Sequence, residues 1–93
     1  MNSCFSYALK EYADSSLGRK SYKSQIEVES RPSSSPCVQK WKDEGTKKEY
    51  YLSSGNLVHV CPAGCGCLVH WEFDKKTKLL VGYKFEGERC SEI

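Results

Sequence analysis

From Cys67 to Phe73 the chain alternates, with Cys67, Val69, Trp71 and Phe73 on one parity and Leu68, His70 and Glu72 on the other. After the polar stretch Asp74 to Lys78 the period resumes, with Leu79, Val81, Tyr83 and Phe85 interleaved by Gly82, Lys84 and Glu86. A period of two is the mark of strands with one packed face and one wet face. Pairing Trp71 with Val81, and Val69 with Tyr83, keeps both apolar sets together and sets Cys67 opposite Phe85. A slip of one residue would expose Trp71 and Phe73, so burial is expected to pin the register. Upstream, Tyr50 to Leu52 runs into Ser53-Ser54-Gly55-Asn56, a hairpin turn, and Leu57 to Cys61 continues as the next strand. Pro62 to Gly66 forms a second turn. The pattern predicts an antiparallel meander of three to four strands.

The N-terminal part has a different rhythm. Cys4, Phe5, Ala8, Leu9, Tyr12 and Ala13 form one stripe at helical spacing, and Gly18 is a suitable stop. This predicts an amphipathic helix within residues 1–18. Its Phe5, Leu9 and Tyr12 would cover the apolar face of the sheet. Residues 19–36 read as a connector: Ile26 and Val28 alternate with Glu27 and Glu29 as in a short extended segment, then Arg31 to Pro36 is rich in proline and serine. Val38 to Lys42 reads as a short strand and Asp43-Glu44-Gly45 as the turn after it. The expectation is one α+β domain, an N-terminal helix on a meander spanning residues 37–93.

Composition adds a question of chemistry. Ninety-three residues make one small domain with a limited core, and six of them are cysteine. An even cysteine set in so short a chain points to disulfides in an oxidising compartment, periplasmic or secreted. Cys4, Cys37, Cys61, Cys65, Cys67 and Cys90 are all candidates, and six cysteines allow 15 pairings. A Cys67–Cys90 bridge would close the last hairpin at its open end, while Cys4 and Cys37 would each tie an outlying segment to the sheet. The alternative is a cytoplasmic zinc-stabilised module with Cys61, Cys65, Cys67 and Cys90 as four thiolate ligands. The spacing of Cys61 and Cys65 is one residue longer than a zinc knuckle uses, and no second closely spaced pair accompanies it.

The formal charge is +2 with signs interspersed, so no concentrated basic face suggests nucleic acid. Lys75, Lys76 and Lys78 fall at a hairpin tip and read as a solvated turn. No run reaches the ~20 apolar residues of a spanning helix, and Met1 to Phe5 lacks a hydrophobic signal core. His59 and His70 are the only histidines. His70 lies on the face opposite Cys67, and His59 shares a face with Cys61 without a recognisable catalytic setting. No phosphate loop, nucleophile elbow or Cys-x-x-Cys motif occurs, so no enzyme is expected. Trp71 reads as core. Of the neighbours Tyr50 and Tyr51 one should face out, and Tyr51 with Trp41 are the candidates for a protein-binding surface.

The run Cys67 to Asp74, the lysine-rich turn, and Leu80 to Cys90 resemble the closing hairpin of small bacterial envelope lipoproteins, with their strand ending in Phe-Asp and their Gly-x-x-Cys terminus. Tyr12 to Arg19, with Arg31-Pro32 downstream, is similar to the helix–glycine–loop–proline lead-in of that group. The fold of the group resembles that of the SmpA/OmlA-type outer-membrane assembly lipoproteins, helices on a three-stranded antiparallel sheet. The resemblance implies an exported, oxidised, non-catalytic protein that works through protein contacts. No cofactor is expected, zinc being the alternative.

Overall fold

Serine and glycine punctuate the helical half of the chain. The computed structural model describes residues 9–31, 35–43, 48–63 and 65–90. Helix α1 (Leu9–Ser16) buries Ala13 and sets Tyr12 edge-on to Trp71, with ring centroids 6.2 Å apart. It stops before Gly18, whose φ of 75° suits glycine, and the Gly18 N–H then bonds the Leu80 carbonyl at 2.7 Å. Cys4, Phe5 and Ala8 of the predicted stripe lie outside the described residues.

The segment read as a connector is in fact helical over α2 (Tyr22–Glu29). Ser21 caps it: its hydroxyl accepts from the Ser24 N–H at 3.1 Å, and the Ser24 hydroxyl accepts from the Ser21 N–H at 3.2 Å. The Ile26/Val28 alternation is incidental. Tyr22, Gln25 and Glu29, spaced three and four apart, form the face that meets the sheet. The predicted strand around Trp41 is likewise a helix, α3 (Pro36–Asp43). Pro36 occupies a first-turn position, where a missing N–H costs nothing, and the Ser35 carbonyl accepts from the Gln39 N–H at 2.9 Å.

Strands β1 (Lys48–Tyr51), β2 (Leu57–Pro62), β3 (Leu68–Phe73) and β4 (Leu80–Glu86) form an antiparallel sheet in sequential order, the meander read from the sequence. The Ser53–Asn56 turn forms as predicted, with Leu52 N–H donating to the Asn56 carbonyl at 2.9 Å and Gly55 at φ 92°. The β3–β4 turn is held by Asp74, whose carboxylate accepts the Lys76 and Thr77 N–H groups at 2.8 Å each. Those bonds hold the Asp74 carboxyl below its ordinary range.

The β3–β4 register differs from the alternation. Trp71 pairs with Tyr83, Val69 with Phe85 and Phe73 with Leu80, the ladder slipping between Glu72 and Phe73. Val81 is the extra residue of this bulge and is 50% exposed, while Leu80 is fully buried in its stead. Leu80, Trp71, Phe73, Val69, Cys61 and Cys67 then make a continuous core with Ala13 and Ala63. Burying side chains the size of Trp71, Phe73 and Leu80 contributes roughly 1.5–3 kcal/mol each. The second face is less wet than expected. Val58 and Val60 are buried there, and α3, with buried Val38, packs on β2.

Two disulfides between described residues staple the sheet. Cys67–Cys90 closes the open end of the last hairpin, and Cys37–Cys65 ties α3 to the β2–β3 turn, with Cα atoms 4.9 and 5.3 Å apart respectively. Gly87 makes the first possible: at φ 127°, a Cβ there would lie 2.3 Å from the Gly66 carbonyl oxygen.

Candidate functional site

The polar face of α2 lands on His59. His59 is 1% exposed and sits on the inner face of β2, in the row that includes Cys61. Its Nε2 lies 2.7 Å from a Glu29 carboxylate oxygen, and its Nδ1 lies 2.9 Å from one of Glu49. Glu29 comes from the last turn of α2 and Glu49 from β1, so one ring joins a helix and two strands. Both carboxylates are held by further donors. Gln25 Nε2 donates to Glu29 at 2.7 Å, and the Tyr22 hydroxyl donates to Glu49 at 2.6 Å. Burial pushes the His59 imidazole down, but the carboxylates of Glu29 and Glu49 outweigh it and hold the group above its ordinary 6.5. With both ring nitrogens facing carboxylates, the ring serves as a doubly donating imidazolium. Burial and the Glu49 carboxylate push the Tyr22 phenol up to about 12, so it remains a donor.

Tyr22 and Glu49 also face a cleft of about 280 Å³ at the corner where β1, β2 and β3 end. Tyr51, Leu57 and Phe73 complete its apolar walls, and Lys75 and Lys78 from the β3–β4 turn stand at its rim. Tyr51 is 74% exposed, so the cleft is open along the β1 side. Tyr50 and Tyr51 do alternate in direction, yet both are exposed because β1 is an edge strand.

The outer face carries a second polar chain. Tyr50 hydroxyl and His70 Nδ1 are 2.9 Å apart, and His70 Nε2 lies 2.6 Å from a Glu86 carboxylate oxygen. A carboxylate at Nε2 favours the tautomer whose Nδ1 accepts from the phenol. The chain links β1, β3 and β4 across β2, a cross-strand polar ladder on the sheet's wet side.

Trp41, the other aromatic singled out for binding, lines a separate cleft of about 360 Å³ with Cys37, Pro62 and Leu68. Tyr51 pairs with Leu57 and Pro62 with Leu68, so Trp41 and Tyr51 lie at opposite ends of β2 and do not form one surface. The four cysteines weighed as zinc ligands are not a thiolate set. Cys67 is bonded to Cys90, Cys65 to Cys37, and Cys61 is disulfide-bonded as well. Cys61 sulfur instead accepts from Trp71 Nε1 at 3.2 Å in the core. Among the described residues no three His, Cys, Asp or Glu side chains are grouped to hold a metal ion, and no helix is long and apolar enough to cross a membrane.

Sequence reasoning found His59 but neither carboxylate. The signal that points to Glu29 is the Ser21-x-x-Ser24 cap, because a helix beginning there carries residue 29 on the same face as Tyr22 and Gln25. No protein-family model matches the chain, and no curated protein or solved structure matches it either.

Proposed function

We propose that the protein is a non-catalytic interaction domain of an oxidising compartment outside the cytoplasm, periplasmic or secreted. The observation that carries the reading is that every described cysteine is engaged in a disulfide. Bridges of this density are typical of small exported domains and rare where thiols are kept reduced. They free the surface from having to supply stability, and the exposed Tyr51 beside an open cleft is a residue type that anchors partners. The hairpin running from Cys67 to Cys90, which resembles that of small envelope lipoproteins, supports the same assignment.

The test has two parts. Protein directed to the periplasm should take up no alkylating reagent before reduction and six equivalents after it; free thiols in that material would overturn the exported reading. A photo-crosslinking residue placed at Tyr51 or Trp41 in producing cells should yield a discrete adduct. No adduct at either position would overturn the interaction reading.

A further inference from the structure

We propose that the cleft beside β1 docks an extended segment of a partner protein, one that carries an apolar or aromatic side chain with carboxylates two residues to either side. This rests on the interaction reading above and names the chemistry of the partner.

The charges around the cleft are sorted. Its two acids are spoken for: Glu49 holds the Tyr22 hydroxyl and His59, and Asp74 holds two backbone N–H groups of its own turn. The ammonium groups of Lys75 and Lys78 have no acidic partner among the described residues. Both carboxylates keep their charge but turn their oxygens to donors within the protein, so the rim groups left to pair with a ligand are the two ammoniums, beside an apolar hole that suits an apolar group flanked by anions. The lysines are not placed there by chance of a floppy turn. The Lys75 N–H donates to the Asn56 side-chain oxygen at 3.1 Å, and the Lys75 stem lies against Gly55, where an added Cβ would be 3.0 Å from its Cδ. The two hairpin tips are thereby locked together.

The size and shape of the cleft favour a peptide over a free small molecule. About 280 Å³ is at the foot of the range of small-molecule sites, roughly 300–1,000 Å³, and one wall is the largely exposed Tyr51 ring. That suits one anchoring side chain delivered from a backbone outside. The backbone has a place to lie, because β1 is a terminal strand of the sheet and pairs only with β2 among the described residues. A strand added there would present alternate residues to the inner face. Residues at i−2, i and i+2 would share the cleft side, so the carboxylates that reach Lys75 and Lys78 must sit two positions from the anchor.

That spacing makes the inference sharp. Two capped pentapeptides of equal composition serve as probes: aspartate–threonine–phenylalanine–threonine–aspartate, and the isomer threonine–aspartate–phenylalanine–aspartate–threonine, whose carboxylates would point to the other face. Titration into isotopically labelled protein, followed by NMR, should show saturable binding of the first below about 1 mM, with shifts at Tyr51, Leu57, Phe73 and Lys75. It should bind on the order of fivefold tighter than its isomer. Lys75→Gln together with Lys78→Gln should weaken it about tenfold, in line with two rim ion pairs, and Lys84→Gln on the outer face should not. Raised salt should weaken the wild-type interaction in the same direction, which checks the charge effect without any variant.

Equal affinity of the two isomers, shifts mapping elsewhere, or indifference to the lysine changes overturns the inference. So does phenylpropionate binding as tightly as the pentapeptide, which would make the cleft a small-molecule site. If these fail while a Tyr51 photo-adduct forms in cells, the interaction reading survives and only the partner chemistry is wrong. If no adduct forms at Tyr51 or Trp41, the reading beneath it falls as well.

Discussion

Replacing His59 with leucine removes the cation that Glu29 and Glu49 share while keeping a side chain of similar bulk. Two charge-assisted contacts, at 2.7 and 2.9 Å, disappear. Hydrogen bonds to charged groups contribute about 1.5–3 kcal/mol each, and stripping one partner from a buried ion pair costs about 3–5 kcal/mol. The Glu29 and Glu49 side chains keep 18% and 26% of their exposure and retain Gln25 and Tyr22 as donors, so the cost falls below a simple sum. A loss of about 2–4 kcal/mol is expected near pH 6. The pH dependence distinguishes this from mere repacking. The folded-state pKa of His59 is raised above 6.5, so its contribution is fully present below 6.5 and is lost as pH climbs through the elevated value. Urea denaturation of the oxidised protein between about pH 6 and pH 9 should therefore show wild-type stability falling, with the His59→Leu curve flatter over the same window. A wild type more stable at pH 8 than at pH 6 through this window, or a variant with an unchanged slope, would refute the account.

Three further outcomes follow from the geometry. Val81→Thr should change stability by less than about 0.5 kcal/mol, whereas Leu80→Ala should cost about 2–5 kcal/mol; thermal melts that reverse this order would restore the simple alternation. Gly87→Ala should destabilise by about 2–4 kcal/mol because its φ and the Gly66 carbonyl both oppose a Cβ, while Gly82→Ala meets only the end of the Glu72 side chain and should melt near wild type. Replacing Cys67 and Cys90 together by serine should cost about 3.5 kcal/mol by loop-closure entropy, given their separation of 23 residues, read as a shift of the urea midpoint.

The sheet was legible because its strands alternate and its core is made of strongly apolar residues such as Trp71 and Phe73. The bulge was not, since Leu79 and Leu80 are chemically equal and only packing chooses between them; periodicity alone favours the wrong one. Helix α2 was hidden for a different reason. Hydrophobic patterning looks for apolar inward faces, and this one is Tyr22, Gln25 and Glu29. Its polarity is explained only by His59, which is 30 residues from Glu29 and 10 from Glu49. A lone histidine in a strand looks ordinary until the chain brings its partners to it. The start signals of α2 and α3, at Ser21 and at Ser35-Pro36, were present and were outweighed by short apolar alternations. The cysteines gave the number of bridges that is possible but not the pairing, which depends on strand ends meeting in space.

Cys65 and Cys67 stand one glycine apart, yet they belong to different bridges, one exposed and tied to a helix before the sheet, the other buried and tied to the chain end. Before the strands form, little separates the two thiols as partners for Cys37 or Cys90, so exchange of the two partners is the natural error of oxidation. What sorts them is sidedness: once β3 is in register, Cys67 is committed to the inner face and Cys65 is left outside it. Native pairing is therefore expected to depend on the meander: reoxidation of the reduced, unfolded chain should yield the exchanged isomer wherever a bridge closes before β3 has found its register.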